Sequence, residues 1–176
     1  MPVDFGFGIS DFVFRISRTV SSLRAPERFD LSGRMDDKTI KLVVAIDTSG
    51  SMSDAMISEV FDEIFAIIAT RKSDITVIEC DAMVNKVYKA KNKSEIQLKV
   101  SGRGGTQFTP VIQYVNNDKY YRDALLIYFT DGYGEYKIPK PKTYRNLWII
   151  VGSGELSVEH PYGEVLKMDR NNYEWK

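Results

Sequence analysis

Short apolar runs separated by helical patterns constrain the fold of this chain most strongly. Four runs have the length and content of a strand: residues 40–46 (IKLVVAI), 74–80 (DITVIEC), 124–129 (ALLIYF) and 147–151 (LWIIV). Nearly continuous apolar runs are typical of strands that helices bury on both faces, whereas half-exposed strands alternate apolar and polar residues. The runs therefore predict a sheet that is covered on both sides.

The segments between these runs carry helical patterns. Residues 53–71 place apolar side chains on one broad stripe, with Ser53 as the capping residue. Thr109 followed by Pro110 predicts a cap and the first position of a short helix over residues 109–117. Because strands and helices alternate, we expect an α/β fold: a doubly wound, mainly parallel β-sheet with helices on both faces and right-handed crossovers.

Two further strands complete the predicted sheet. Residues 83–89 alternate apolar and polar side chains and follow a turn at Asp81 and Ala82, which predicts a hairpin with the preceding strand. Residues 164–168 have the pattern of a last short strand.

The N-terminal segment differs from the rest of the chain. Apolar residues at helical spacing predict an amphipathic helix over residues 9–23, and the polar, turn-rich residues 24–39 predict an irregular arm. We therefore divide the chain into an N-terminal helix and arm, residues 1–37, and one α/β domain, residues 38–176.

Composition and charge exclude several classes of function. Lys plus Arg and Asp plus Glu number 24 each, so the formal net charge is zero and no global field favours nucleic acid or an anionic membrane. No apolar run approaches the roughly 18 residues of a membrane span, and no signal-peptide core is visible. Cys80 is the single cysteine, which fits a reducing compartment. We expect a cytoplasmic protein with no membrane partner.

The loops after two of the predicted strands begin with an aspartate. Asp47 opens the loop D-T-S-G-S, and Asp131 opens the loop D-G-Y-G. Ligands of open α/β sheets bind beyond the carboxyl ends of the strands, so the two carboxylates are expected to face one point. The hydroxyls of Ser49, Ser51 and Thr106 add oxygen atoms, and hard cations such as Mg²⁺ prefer about six oxygen ligands. These five residues predict a divalent-metal site.

Purely structural interpretations of these and neighbouring residues stay open. Serines and a glycine after a buried strand are also ordinary loop and capping residues. Thr109 competes with Thr106 as a ligand, although its place before Pro110 favours a helix cap. Asp81 ends a strand before a short hairpin, so a role in the turn is favoured over a third acid in the site. Cys80 is interpreted as a core residue.

At these residues the chain resembles von Willebrand factor A (VWA) domains. The matching motifs are D-T-S-G-S at 47–51, G-G-T at 104–106 and T-D-G at 130–132. In that family D-x-S-x-S, a later Thr and a later Asp form the metal-ion-dependent adhesion site. The resemblance covers roughly residues 38–170 and implies a VWA or Rossmann-like fold and Mg²⁺, Mn²⁺ or Ca²⁺ as cofactor. The ligands it implies, some acting through water, are Asp47, Ser49, Ser51, Thr106 and Asp131.

Longer stretches are similar to one bacterial branch of the family. VAIDTSGSMSD, IECDA, GRGGTQFTP, YFTDGYGE and LWIIV resemble the VWA-like domains that follow a metallopeptidase-like N-terminal half. The sequence has no H-E-x-x-H motif and a single histidine, His160, so a peptidase activity is not carried over. Gln107 follows Thr106 where the family pattern often has aspartate, which removes a nearby carboxylate.

The resemblance implies a protein-binding module rather than an enzyme. Adhesion-type members capture an Asp or Glu of the partner at the metal, and many bacterial intracellular members work beside MoxR-type AAA+ ATPases. We therefore expect a protein partner that presents a carboxylate, with such an ATPase as a candidate. Gln107, Tyr133 and Glu135 adjoin the predicted ligands and are candidates for the rim that contacts the partner, although Tyr133 and Glu135 also suit a turn.

Two alternative functions stay open at this point. Carboxylates at strand ends with Mg²⁺ also occur in hydrolases and phosphotransferases, but the chain has no G-x-x-x-x-G-K-[ST] loop and one histidine for base catalysis. An RNA-binding accessory protein is suggested by the Lys-rich residues 86–103, whereas the zero net charge makes nucleic acid an unfavoured partner.

Overall fold

The structure, a computed structural model, describes four continuous stretches of the chain and a few residues between them. The described residues are 18, 39–49, 55, 58, 61–62, 64–66, 72–96, 105–143 and 145–168. Apart from Arg18, the predicted N-terminal helix at residues 9–23 lies outside this set, as does the arm up to residue 38. The division of the chain at residues 37 and 38 stays a prediction.

Six strands form one sheet in the order β3-β2-β1-β4-β5-β6. The strands are β1 (Ile40–Asp47), β2 (Ser73–Cys80), β3 (Val84–Ala90), β4 (Leu125–Thr130), β5 (Arg145–Val151) and β6 (Glu164–Met168). The pair β2 and β3 is antiparallel, and the other four pairs are parallel. The chain leaves β1 towards β2 on one side and returns to β4 on the other. The predicted doubly wound, mainly parallel sheet and the predicted hairpin are confirmed.

Helices cover both faces of this sheet. The α-helix α1 spans Thr109–Asn117, as predicted, and single 3₁₀ turns occupy Lys93–Glu95 and Lys119–Tyr121. Within the predicted helix at residues 53–71, all seven described residues are helical. No helix in the described part of the chain is long and apolar enough to cross a membrane.

Side chains of β1 point alternately into two apolar cores. Leu42, Val44 and Ile46 face the core that contains Phe61 and Ile64 of the helical segment between β1 and β2. The other core holds two apolar residues of β1, Val43 and Ala45, and the buried face of α1: Val111, Ile112 and Val115. Because β1 is buried on both faces, it can be apolar throughout, which explains the continuous run in its sequence.

Aromatic rings fill the second core beneath the carboxyl edge of the sheet. Tyr128 stacks on Trp148 with ring centroids 4.8 Å apart. Phe108 places its ring edge-on to both, at 5.3 Å from Tyr128 and 5.2 Å from Trp148. Such pairs contribute about 0.5–1.5 kcal/mol each beyond the burial of their area. Phe108 is therefore a firm anchor for the loop that precedes α1.

A charged cluster closes the opposite, amino edge of the sheet. Lys89 on β3 lies 2.7 Å from a carboxylate oxygen of Asp74 on β2, and the Tyr120 hydroxyl donates a hydrogen bond to the other oxygen. Burial raises the pKa of Asp74, but the hydrogen bonds from Lys89 and Tyr120 outweigh it, and the net effect lowers the pKa below its ordinary value. The cluster is partly exposed, so it stabilises the fold only modestly.

Candidate metal site

The carboxyl ends of β1 and β4 meet at the point where the strand order reverses. Ile46 pairs with Phe129 in the parallel register of these strands, so Asp47 and Thr130 follow as the last residues of the two strands. Loops diverge to opposite sides at such a switch point and leave a crevice in which α/β proteins bind ligands. The sequence placed Asp47 and Asp131 at this edge, and the structure confirms that placement.

The carboxylate of Asp47 is fully buried and accepts four hydrogen bonds. Its Oδ1 accepts from the backbone N–H of Ser49 at 2.9 Å and from the Ser49 hydroxyl at 2.6 Å. Its Oδ2 accepts from the hydroxyls of Thr130 at 2.9 Å and Thr106 at 3.1 Å. Burial raises the pKa of Asp47, and these hydrogen bonds oppose the rise. All four of these donors are neutral, so within the described part of the chain the buried carboxylate is held by dipoles.

Two of the predicted hydroxyl ligands lie side by side against this carboxylate. The Ser49 Oγ and Thr106 Oγ1 atoms are 2.6 Å apart, and both side chains are partly exposed. The structure therefore brings Thr106 into contact with Asp47 and Ser49. Thr106 follows Asp47 by 59 residues and Ser49 by 57 residues. Of the two threonines that the sequence offered in this loop, Thr106 contacts Asp47, whereas Thr109 bonds to Glu135.

The loop that follows Asp47 is fixed to the end of β2. The backbone N–H of Thr48 donates to the carbonyl oxygen of Cys80 at 2.8 Å, and its hydroxyl donates to the same oxygen at 3.0 Å. One residue further along the chain, the carbonyl of Asp81 accepts from the backbone N–H of Gln107 at 3.1 Å. The β2 end thus supports both loops that carry the predicted hydroxyl ligands Ser49 and Thr106. Asp81 also accepts from the N–H of Met83 at 3.1 Å, which confirms its turn-forming role.

Asp131 lies one residue beyond Thr130 at the same edge and is partly exposed. Its Oδ1 accepts a hydrogen bond from the backbone N–H of Tyr133 at 3.0 Å, which forms an Asx turn and orients the loop. The role of Asp131 as a metal ligand stays a prediction. Ser51, the remaining predicted ligand, lies outside the described residues.

Thr130 belongs to the site, although sequence reasoning assigned it no role. Its hydroxyl donates to Asp47 and accepts from the backbone N–H of Gly132 at 3.1 Å, and the side chain is fully buried. Gly132 has φ +93°, and a Cβ there would lie 2.5 Å from the carbonyl oxygen of Glu155, so a side chain is excluded. One feature of the sequence could have indicated this role: Thr130 is a hydroxyl residue at the end of an otherwise apolar strand, directly before Asp131.

The three predicted rim residues have different environments. Gln107 and Tyr133 are exposed, Tyr133 by 67%. Glu135 instead turns its Oε2 to the start of α1, where it accepts from the backbone N–H groups of Phe108 and Thr109 at 3.2 Å and 2.9 Å. The predicted cap at Thr109 is wrong in detail, because Thr109 is already helical and its hydroxyl donates to Glu135 at 2.7 Å. A carboxylate from a distant loop caps the helix instead.

Fold and site together define a VWA-like α/β domain. The family described as VWA-like domain (DUF2201) matches residues 42–169, and this chain belongs to that family. The predicted resemblance is therefore confirmed. A fold of this kind supports a protein-interaction module in general terms.

Two known proteins are similar to parts of the chain. An uncharacterized protein of Thermotoga maritima is 24% identical over 135 residues, which cover 76% of this chain and 33% of that protein. The crystal structure of the ArnB paralog VWA2 from Sulfolobus acidocaldarius superposes with a TM-score of 0.48 and 16% identity, over 73% of this chain and 41% of that one. This chain thus spans about a third of the length of the curated relative that it matches.

The donor atoms at this edge fit a hard divalent cation. The described part of the chain has no group of three or more His, Cys, Asp or Glu side chains placed to hold a metal, so hydroxyls must complete any ligand set. The 2.6 Å between the Ser49 and Thr106 oxygens is somewhat below the roughly 3.0 Å that separates adjacent ligands in an octahedron with Mg–O distances of about 2.1 Å. The buried charge of Asp47 would gain a counter-charge from such an ion.

Proposed function

We propose that this domain is a divalent-metal-dependent protein-binding module that captures a carboxylate of its partner. The observation that carries the proposal is the convergence of the Ser49 and Thr106 hydroxyls on the buried carboxylate of Asp47. The residues that would hold the ion are Asp47, Ser49, Ser51, Thr106 and Asp131. Mg²⁺ is the expected ion, with Mn²⁺ or Ca²⁺ as substitutes.

The composition of this ligand set supports binding of an outside acid. A bound dication would supply a positive centre, and two carboxylates with three neutral hydroxyls leave a coordination position for an Asp or Glu of another protein. Four hydrogen bonds hold the carboxylate of Asp47, so the protein itself orients these oxygens. Preorganisation of this kind lowers the entropic cost of binding.

Exposed side chains around the site provide the contact surface for the partner. Tyr133 is 67% exposed in the loop after Asp131, and Met83 is 62% exposed in the turn after β2. Gln107 is also exposed, in the loop whose backbone donates to the carbonyl of Asp81. Tyrosine and methionine are enriched in protein interfaces, since they contribute large contact areas.

We further propose that the module is not an enzyme and acts in the cytoplasm. The proposed partners are proteins, among them an AAA+ ATPase of the MoxR type, rather than membranes or nucleic acids. The balanced charge of the chain supports this choice, because nucleic-acid binding depends on neutralising phosphates with an excess of Lys and Arg.

The test is capture of proteins from a cell extract with Mg²⁺ or with EDTA, read by quantitative mass spectrometry. Wild-type protein is expected to retain a defined partner only with Mg²⁺, and Asp47→Asn and Asp131→Ala should lose it while their circular dichroism spectra stay native. Asp123→Ala is the matched control, because this carboxylate lies at the amino edge and is paired there with Lys41 at 2.9 Å. Equal capture in EDTA and in Mg²⁺ would refute the proposal.

A further inference from the structure

We propose that Glu135 is a positioning residue that ties the loop of Thr106 to the loop of Asp131 and so sets the geometry of the metal site. This inference rests on the proposed metal-binding function. It reassigns Glu135, whose sequence position suggested a place on the rim that contacts the partner.

One carboxylate oxygen of Glu135 makes all of the contacts with the Thr106 loop. Oε2 accepts hydrogen bonds from the N–H groups of Phe108 at 3.2 Å and Thr109 at 2.9 Å, and from the Thr109 hydroxyl at 2.7 Å. These donors follow Thr106 by two and three residues. The negative charge also lies at the positive end of the α1 dipole, which strengthens the tie.

The other end of the tie is equally fixed. The hydroxyl of Ser157 donates to the backbone carbonyl of Glu135 at 3.2 Å and accepts from the N–H of Gly134 at 3.0 Å. The N–H of Ser157 donates to the carbonyl of Gly132 at 2.8 Å. Ser157 therefore fixes the loop that carries Glu135 at Gly132, within the turn of Asp131, and at residues 134–135 after it.

Close packing reinforces the link between the two loops. A Cβ at Gly134 would lie 2.5 Å from the ring of Phe108, so this ring packs against the Gly134 backbone as closely as glycine allows. Phe108 is fully buried and lies edge-on against the stacked rings of Tyr128 and Trp148. Any shift of the Asp131 loop must therefore move Glu135 across α1, and with it the segment that presents Thr106.

The orientation of Glu135 favours one of two roles. It can link the two loops through hydrogen bonds, or it can act through its charge on the ion or on the partner. Its Oε2 already accepts three hydrogen bonds from residues 108 and 109. A tie requires only an acceptor atom at that place, which a neutral amide also provides. If Glu135 acted through its charge, replacement with glutamine would abolish its effect.

The experiment compares Glu135→Ala, Glu135→Gln and the control Glu155→Ala. Glu155 suits the comparison because its side chain is 86% exposed and pairs with Lys167 at the surface. Binding of Mn²⁺ alone is measured by the loss of the free-ion signal in electron paramagnetic resonance. Glu135→Ala should weaken Mn²⁺ binding about 10- to 100-fold, the usual effect of removing a group that orients metal ligands. Glu135→Gln should retain most of the affinity, and the control should retain all of it.

Amide hydrogen exchange in EDTA gives a readout that does not need the metal. Exchange at residues 105–107 should accelerate in Glu135→Ala and stay near the wild-type rate in Glu135→Gln. Equal loss of Mn²⁺ affinity in the Ala and Gln variants would assign the effect to charge and overturn the inference. Unchanged affinity in both variants would overturn it as well.

Failure of the wild-type protein to bind Mn²⁺ would refute the proposed metal-binding function without deciding on the role of Glu135. The exchange rates would then decide on the tie: acceleration at residues 105–107 in the alanine variant would support it, and unchanged rates would overturn it.

Discussion

Replacement of Thr130 with valine removes one hydroxyl from the site at nearly constant volume. The lost hydroxyl donates to Asp47 at 2.9 Å and accepts from the N–H of Gly132 at 3.1 Å, and both Thr130 and Asp47 are fully buried. A hydrogen bond to a charged group contributes about 1.5–3 kcal/mol, and a buried donor left without an acceptor costs about 1–3 kcal/mol. Because Asp47 keeps three other donors, we expect a loss of about 3 kcal/mol in the free energy of unfolding.

Urea unfolding in EDTA at neutral pH measures this loss without any contribution from metal. Thr130→Ser is the matched control, since it keeps the hydroxyl and removes only a methyl group, worth about 1 kcal/mol. The expected order of stability is wild type, then the serine variant, then the valine variant. A valine variant within about 0.5 kcal/mol of wild type, or above the serine variant, would show that Thr130 does not hold Asp47.

Asp74 has a lowered pKa, so its contribution to stability is fully present above its ordinary value of 3.8 and is lost as the pH falls through the folded-state pKa. Asp74→Asn should therefore lower the free energy of unfolding by under about 1 kcal/mol at about pH 7, with a smaller difference at about pH 3, as measured by urea titration. Gly154→Ala should unfold at a lower temperature in calorimetry, because its Cβ would lie 2.1 Å from a backbone oxygen, whereas Gly105→Ala, with no atom within 4 Å of its Cβ, should match wild type. Burial raises the pKa of the Cys80 thiol to about 12, so a disulfide reagent should label it only after denaturant is added, and rapid labelling of the native protein would contradict its placement in the core.

Strands were predictable from local sequence because burial on both faces leaves a simple pattern. The run at residues 40–46 became β1, Ile40–Asp47, with one residue added at its end, and the hairpin between β2 and β3 followed from a single turn signal. The composite of D-T-S-G-S, Thr106 and T-D-G located the site edge, since the first and last of these motifs each stand at the end of a strand. These features depend on neighbours in sequence.

Contacts between distant residues were the part that local patterns missed. The local rule placed the helix cap on Thr109, but Glu135, 26 residues further along, provides the acceptor instead. Thr130 stands in a run that predicts only a strand, and its contact with Asp47 depends on β4 lying beside β1 rather than elsewhere in the sheet. Strand order and register decide both cases, and neither can be read from the residues around one position.

The four donors to Asp47 come from positions that are very unequally spaced along the chain. Ser49 is two residues away, whereas Thr106 and Thr130 are 59 and 83 residues away. Contacts at such separation form only when the chain has closed long loops, late in folding. A nascent chain therefore cannot complete this carboxylate's shell until β4 has been synthesised and docked beside β1. Unfinished and misfolded copies therefore lack the complete shell, and the proposed binding of a partner would be confined to copies whose domain is complete.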